Sequence, residues 1–277
     1  MRLSVVIVNQ NACLQLKQTL NSIVDACRSF NYELFVVDNA STDKSVAMIE
    51  NEFPQTNIIA NSTDIGIAKA NNQALKLVNG EYVLIVSADT ICCKGSLEKM
   101  VAFMDDHANA GGLSVRMLSE EGRFLPESIH GLTTTWATFL KLIGFARHLP
   151  KTRLYDRNRK DWVEEFQITE IDIINGACMF LRRSALNKSG LFDERFFMSG
   201  YDIDLSYRLR LAGFKNYYFP NTYIIKPDGS ILAKFSWNYV KYFYGAMVIF
   251  ALKYLFKLPE IKVTGVPRLF PTSYEVK

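Results

Sequence analysis

Two stretches of this chain carry carboxylates whose neighbours give them chemistry to do. The first is Tyr82-Val83-Leu84-Ile85-Val86-Ser87-Ala88-Asp89-Thr90, where an almost unbroken apolar, β-branched run reads as a strand buried on both faces. Asp89 follows where that strand must emerge. A strand's C-terminal end is where open α/β sheets bind ligands. A carboxylate there can hold Mg²⁺ or Mn²⁺ against phosphate oxygens, because these cations prefer oxygen and take only one or two ligands from protein. Asp-Thr after a strand is also ordinary turn chemistry, so the position alone leaves both readings open. The second stretch runs from Phe196 to Arg210, where Leu205, Leu209 and Ala212 recur at helical spacing. That periodicity sets Asp202 at or near a helix start, where an N-cap would equally explain it, and puts Asp204 one turn before Arg208 as an i,i+4 ion pair.

The elements that must position these acids follow a repeating order. Leu3 to Val8 reads as a buried strand, followed by a loop through Asn11 and a helix with apolar positions Leu16, Leu20, Ile23 and Val24. Glu33 to Asp38 is a second strand, and Asn39-Ala40-Ser41-Thr42-Asp43 supplies turn and cap chemistry before Val46, Ile49 and Phe53. Asn57 to Ala60 predicts a short third strand and Gly66 to Val78 a helix, closed by Asn79-Gly80 before the Asp89 strand. Alternation of this kind argues for an α/β fold with a Rossmann-like, mainly parallel sheet flanked by helices, its loops gathered on one edge. Asn9, Asn11, Asp38, Asn39, Asp64 and Asp89 all fall at that edge. A carboxylate after the second strand is placed to accept hydrogen bonds from a base or ribose. The chain has no GxGxxG after the first strand and no GxxxxGK[ST], which argues against a dinucleotide enzyme and a P-loop ATPase.

Composition narrows the remaining classes. A chain of 277 residues, 49% hydrophobic, fills one large core or two small ones. Its formal charge of +4 gives no case for nucleic acid, and the basic excess belongs to the tail. Five scattered cysteines, Cys13, Cys27, Cys92, Cys93 and Cys178, form neither a disulfide framework nor a zinc site, and fit a reducing compartment. The apolar run from Leu3 to Val8 is too short for a signal peptide, and no uncharged stretch is long enough to span a bilayer. The expected location is cytoplasmic.

Six motifs in sequence then resemble a family. They are Val5-Val6-Ile7-Val8-Asn9; Val36-Val37-Asp38-Asn39-Ala40-Ser41-Thr42-Asp43; Asp64-Ile65-Gly66-Ile67-Ala68-Lys69-Ala70-Asn71-Asn72; Ser87-Ala88-Asp89; Asn175-Gly176-Ala177-Cys178; and Phe192-Asp193-Glu194-Arg195-Phe196-Phe197-Met198 with Asp202-Ile203-Asp204-Leu205. Together they resemble the family 2 inverting glycosyltransferases of the GT-A fold, above all their bacterial rhamnosyltransferase-like branch. The resemblance covers about the first 230 residues. It implies a GT-A domain over 1–230 and a C-terminal helical, aromatic and basic extension over 231–277.

The resemblance also distributes roles. It implies that Asp38 contacts the nucleotide base, with Asn9, Asn11 and Ser41 in the same pocket, although capping of strand ends accounts for Ser41 and Asn39 too. Gly66 would let the backbone approach the donor, with Asn71 and Asn72 near the diphosphate or the strand ends. Asp89 matches the last acid of the family's DxD metal motif, with Ser87 beside it on the donor side. Asp202, or the Glu usually just before it, is linked to deprotonating the acceptor hydroxyl, work that a positioned carboxylate does with about a 10²–10⁴-fold gain in rate. Two departures stand out. Tyr201 replaces the usual Glu, and Lys226-Pro227-Asp228-Gly229 stands where the branch often has His-His-Gly. Lys226 in place of a metal-site histidine could bring a fixed positive charge to the leaving diphosphate and reduce the dependence on a divalent cation; a surface lysine is the duller alternative.

The variable regions give weaker signals. From His130 to Asp161, Trp136, Phe139, Leu140, Ile143 and Phe145 predict a helix ended by Pro150, and Arg147, His148, Lys151 and Arg153 could meet a phosphate-bearing acceptor or form a solvated basic face. From Phe235 to Phe256 there are nine aromatics in twenty-two residues. They suit either a helix docked on the core or peripheral membrane contact through 235–257, with lysines drawn to anionic lipid. Lys253 and Lys257 point well away from Lys234 and Lys241 on a helical wheel, so one straight amphipathic helix fits only with a break near Gly245.

The expected function is inverting transfer of a sugar from a UDP- or dTDP-sugar to an acceptor hydroxyl on a glycan or lipid-linked glycan, in bacterial surface polysaccharide synthesis at the inner face of the cytoplasmic membrane. A homodimer is compatible with it. The rival is a non-catalytic nucleotide-sugar binder or partner subunit, motivated by Tyr201 and Lys226. A nucleotidyltransferase is a third option, weakened by the missing Gly-rich basic loop.

Overall fold

A computed structural model describes residues 1–130, 134–148, 165–227 and 237–254. Strands β1 (Leu3–Asn9), β2 (Tyr32–Asn39), β3 (Asn57–Asn61) and β4 (Tyr82–Ser87) pair in parallel in the order β3-β2-β1-β4. Helices α1 (Cys13–Ala26), α2 (Ser45–Glu52) and α3 (Ile67–Leu75) make the crossovers. Alternate residues of these strands feed opposite faces, as a two-residue period requires. Leu3, Val5 and Ile7 of β1 and Tyr82, Leu84 and Val86 of β4 pack into one buried cluster with Leu16, Ile23, Ile49 and Met104. Val6, Val83 and Ile85 pack into the other, with Ala70, Ala74 and Leu205. Burial on both faces is why the strands read as continuous apolar runs.

The second half of the sheet is mixed. A two-residue strand, β5 (Ile91–Cys92), follows Asp89, and α4 (Ser96–Asp106) leads into β6 (Ala110–Leu118). Next come α5 (Glu127–His130), α6 (Thr134–Leu142), a 3₁₀ turn at Phe145–His148, β7 (Thr169–Ile171), β8 (Cys178–Arg182), α7 (Arg183–Ser189), α8 (Tyr201–Leu211) and β9 (Lys215–Ile225). Strand β8 runs antiparallel between β4 and β6, and β9 lies parallel to β6. The β6 register jumps so that Val115 pairs with Phe219 but Arg116 with Tyr223. Pro220, which has no N–H to give the ladder, lies inside that irregular stretch.

Helix α9 (Trp237–Tyr254) is continuous through Gly245. Phe243, Ala246, Met247 and Phe250 join the same cluster as Val6 and Ile85, with the Trp136 ring edge-on to Phe243 and Phe250. The lysines that fit no single polar face have different partners. Lys241 is exposed, whereas Lys253 donates to Asp193 at 2.8 Å and Asp204 at 2.6 Å, so the described part of the extension docks on the core. No described helix is long and apolar enough to cross a membrane. Lys151, Arg153, Asp228, Gly229, Lys234 and Lys257, and the expected boundary at 230/231, lie outside the described residues, as does the side chain of Arg147.

Candidate functional site

A cavity of about 330 Å³ opens at the C-terminal edge of the parallel strands. The β1 and β2 ends give it Val8, Gln10 and Asn39, the β4 end gives Val86 and Ser87, and Gly176, Phe197, Tyr201 and Lys226 close it from the second half of the chain. Ends of parallel strands converge there because each helix returns the chain to the opposite edge.

On the β4 side, the Lys226 ammonium donates to Asp89 Oδ1 at 2.7 Å and to Ser87 Oγ at 3.1 Å. The short strand β5 makes this meeting possible. Ile91 pairs with Ile225, and the Lys226 N–H bonds the Leu118 carbonyl at 2.8 Å, so the segments carrying the acid and the lysine are bound to each other by the sheet. Asp89 is not itself a lining residue and reaches the cavity through Lys226.

Gly176 and Tyr201 also line the cavity, next to Ala177 whose carbonyl accepts the Ser87 N–H at 3.1 Å, and Asp202 contacts Gly176. Asp202 lies in the first turn of helix α8, one residue after its start, and its Oδ2 accepts the Gly176 N–H at 3.0 Å while its Oδ1 accepts the Ile203 N–H at 3.0 Å. A Cβ at residue 176 would stand 2.6 Å from the Tyr201 hydroxyl and 3.1 Å from Asp202 Oδ2, so this approach requires glycine. Burial pushes the Asp202 carboxyl up to about 6 against the pull of its backbone hydrogen bonds. Burial and the neighbouring Asp202 also hold the Tyr201 hydroxyl well above its usual range. The aromatic residue in place of the family's Glu thus adds apolar surface beside the acid instead of a second charge.

The β1 and β2 ends form a tight polar loop. Asp38 is buried, and its oxygens accept Asn9 Nδ2 at 2.9 Å, Ser41 Oγ at 2.6 Å and Ser41 N–H at 2.9 Å. Asn11, at φ 52°, accepts the Thr42 N–H at 2.7 Å. Asn9 and Asp38 therefore lie buried behind the lining and Asn11 is exposed beside them, while their neighbours Gln10 and Asn39 line the cavity. Asn39 Nδ2 donates to Asp64 Oδ1 at 2.5 Å, and Asp64 accepts the Gly66 N–H at 2.9 Å.

Gly66, at φ 83°, is pressed against residue 197: a Cβ there would sit 2.8 Å from the Phe197 carbonyl oxygen, which accepts the Ile67 N–H at 2.7 Å. Of the two asparagines on α3, Asn71 lines the cavity with a buried Oδ1 that has no hydrogen-bond partner among the described residues. Asn72 instead turns to Phe192, donating to its carbonyl at 2.8 Å and accepting its N–H at 3.0 Å. The structure thus brings Gly66, Asn71, Ser87 and Lys226 to the cavity surface, with Asp89 joined to it through Lys226 and Asp202 through Gly176. Phe197 and Met198, quoted within the sixth motif but given no role, line the cavity, as does Gln10, which sequence reasoning passed over between two edge asparagines.

A mixed sheet with a ligand-sized cleft at the ends of its parallel strands is the architecture of GT-A glycosyltransferases. Residues 4–190 match the sequence profile of Glycosyl transferase family 2, and the chain belongs to that family of inverting enzymes. It is 23% identical over 204 residues to the N-acetylglucosaminyl-diphospho-decaprenol L-rhamnosyltransferase of Mycobacterium tuberculosis (strain CDC 1551 / Oshkosh), covering 69% of this chain and 65% of the relative. It is 31% identical over 146 residues to the poly(ribitol-phosphate) beta-N-acetylglucosaminyltransferase TarS of Staphylococcus aureus (strain Mu50 / ATCC 700699), covering 50% of this chain and 25% of TarS. The chain thus spans under two thirds of the length of either relative. The crystal structure of TarS 1–349 with UDP-GlcNAc superposes with a TM-score of 0.60 at 22% identity, over 91% of this chain and 67% of that one. The mannosyltransferase PcManGT of Pyrobaculum calidifontis, in complex with GDP-Man and Mn²⁺, gives 0.58 at 19% identity, over 84% and 59%. GT-A enzymes generally use a divalent cation.

Proposed function

We propose that this chain transfers a sugar from a nucleoside diphosphate donor to an acceptor hydroxyl with inversion, in the assembly of a bacterial surface polysaccharide. One observation carries the reading: a single cavity is lined both by Lys226 and Ser87, which join Asp89, and by Gly176, which joins Asp202. Direct displacement needs a group that stabilises the departing diphosphate and a base facing the incoming alcohol. The Asp89 side supplies the first. Asp202, whose carboxyl titrates close to neutrality, supplies the second. Asp38, Asn9 and Asn11 shape the base-binding end, with Gln10 and Asn39 as the groups that reach the nucleoside. Mg²⁺ or Mn²⁺ is the fold's usual partner at the place of Asp89, where this chain presents Lys226.

The relatives named above suggest acceptors that carry phosphate, either a lipid-linked diphosphate glycan or a polyol-phosphate polymer. A panel of UDP-, dTDP- and GDP-sugars with both acceptor types tests the reading. One pair should give a product with an inverted anomeric centre by NMR coupling, and its kcat/KM should rise with pH through an acid limb near 6 as Asp202 loses its proton. Absence of transfer and of donor hydrolysis across the panel would favour a non-catalytic binder.

The exposed face of α9 fits contact with the inner leaflet where such acceptors are held. Trp237 is 80% exposed, Tyr244 55% and Val248 57%, and with Lys241 they follow one helical stripe. Sedimentation with vesicles containing anionic lipid should retain the chain, and Trp237→Ser with Tyr244→Ser should lower the bound fraction several-fold. Equal binding would remove this role.

A further inference from the structure

The donor set around Asp89 does not fit a divalent ion. Among the described residues Asp89 is the one carboxylate there, the Thr90 hydroxyl and the Ala177 carbonyl are each 3.2 Å from Ser87 Oγ, and the Lys226 ammonium already lies between Ser87 and Asp89, at 3.1 Å and 2.7 Å. Mg²⁺ or Mn²⁺ bound to Asp89 would have to share that space with a like charge.

We propose that Lys226 is this chain's built-in cation: its ammonium, in place of a bound metal ion, neutralises the diphosphate as it leaves, and transfer proceeds without added metal. The inference rests on the transferase reading of the cavity and specifies its leaving-group side. Three observations support it. Lys226 is anchored, because its own N–H and the preceding Ile225 are held by Leu118 and Ile91. Its side chain is only 24% exposed and lines the cavity, unlike that of a free surface lysine. An ammonium has three N–H donors; Asp89 and Ser87 accept two, which leaves one for a phosphate oxygen.

The step balances without a further reactant. The acceptor oxygen bonds to the anomeric carbon, the bond from that carbon to the diphosphate oxygen breaks with its electron pair leaving on the diphosphate, and the hydroxyl proton passes to Asp202. Negative charge grows on the leaving oxygen, where a fixed positive group is most effective because it needs no reorganisation. Asp89 then serves to aim the lysine, as a positioning residue.

Calorimetric titration of the full chain with UDP, dTDP and GDP, each with EDTA and with Mn²⁺, tests this. The diphosphate that binds should do so with the same Kd in both conditions to within about twofold. Lys226→Gln should weaken it at least tenfold without moving the thermal unfolding midpoint appreciably. Lys226→His, which places an imidazole beside Asp89, should make binding Mn²⁺-dependent. Wild-type binding that tightens tenfold or more with Mn²⁺, or a Lys226→Gln variant that binds like the wild type, would overturn the proposal and leave the transferase reading intact. No binding of any of the three diphosphates in either condition would overturn both.

Discussion

Replacing Asp202 by Asn should lower kcat about 10²- to 10⁴-fold while leaving the Kd for nucleoside diphosphate within a few-fold of the wild type. In the proposed mechanism Asp202 acts on the acceptor, and its carboxylate touches Gly176 and Ile203 rather than Ser87 or Lys226, so the two measurements separate. Loss of fold is not a rival explanation. Burial raises the carboxyl to about 6, above its unfolded value of 3.8, so whatever stability the group contributes is fully present below pH 3.8 and is lost as pH rises through 6. At pH 7.5 an uncharged amide removes that cost but offers one acceptor where the carboxylate gives two to the Gly176 and Ile203 N–H groups, so the thermal midpoint of Asp202→Asn should fall only slightly. Asp202→Asn turning over at the wild-type rate would remove this residue from the chemistry.

The second large effect concerns stability. Asp204 is fully buried and accepts Arg208 Nε at 2.8 Å, Lys253 Nζ at 2.6 Å and Tyr254 Oη at 2.6 Å. Asp204→Asn removes the charge facing two buried cations and should cost about 3–5 kcal/mol, read as a lowered urea midpoint with an unchanged slope. The neighbouring Asp193 retains Arg195 and Lys253, which hold its carboxyl well below the usual range although burial pushes it up. That contribution is present above pH 3.8 and is lost as pH falls through the lowered value, so docking of α9 should also weaken in acid. A variant as stable as the wild type would show that the α9 contact is incidental.

Local pattern carried much of the architecture. The apolar run before Asp89 fixed β4 at Tyr82–Ser87, and the spacing of Asp204 and Arg208 foretold their ion pair. Both features depend on neighbours a few positions away. What stayed hidden depends on distant pairing. Strand β5 is two residues long, too short for any hydropathy pattern, yet its ladder with Ile224 and Ile225 brings Asp89 to Lys226. Two adjacent asparagines on one helix look alike in sequence, but only the fold turns Asn71 to the cavity and Asn72 to Phe192. The tail's aromatic content admitted either a lipid or a core partner, and Trp136 with the buried acids of residues 193 and 204 decided it for one face of the helix.

The Tyr242 ring stacks on Phe197, centroids 4.1 Å apart and planes at 17°. Phe197 lines the cavity and presses on Gly66, so α9 braces the donor pocket from behind. Anyone trimming this protein for expression by its profile match, which stops at residue 190, would discard the proposed base, Lys226 and this brace at once. A working fragment has to extend through Tyr254.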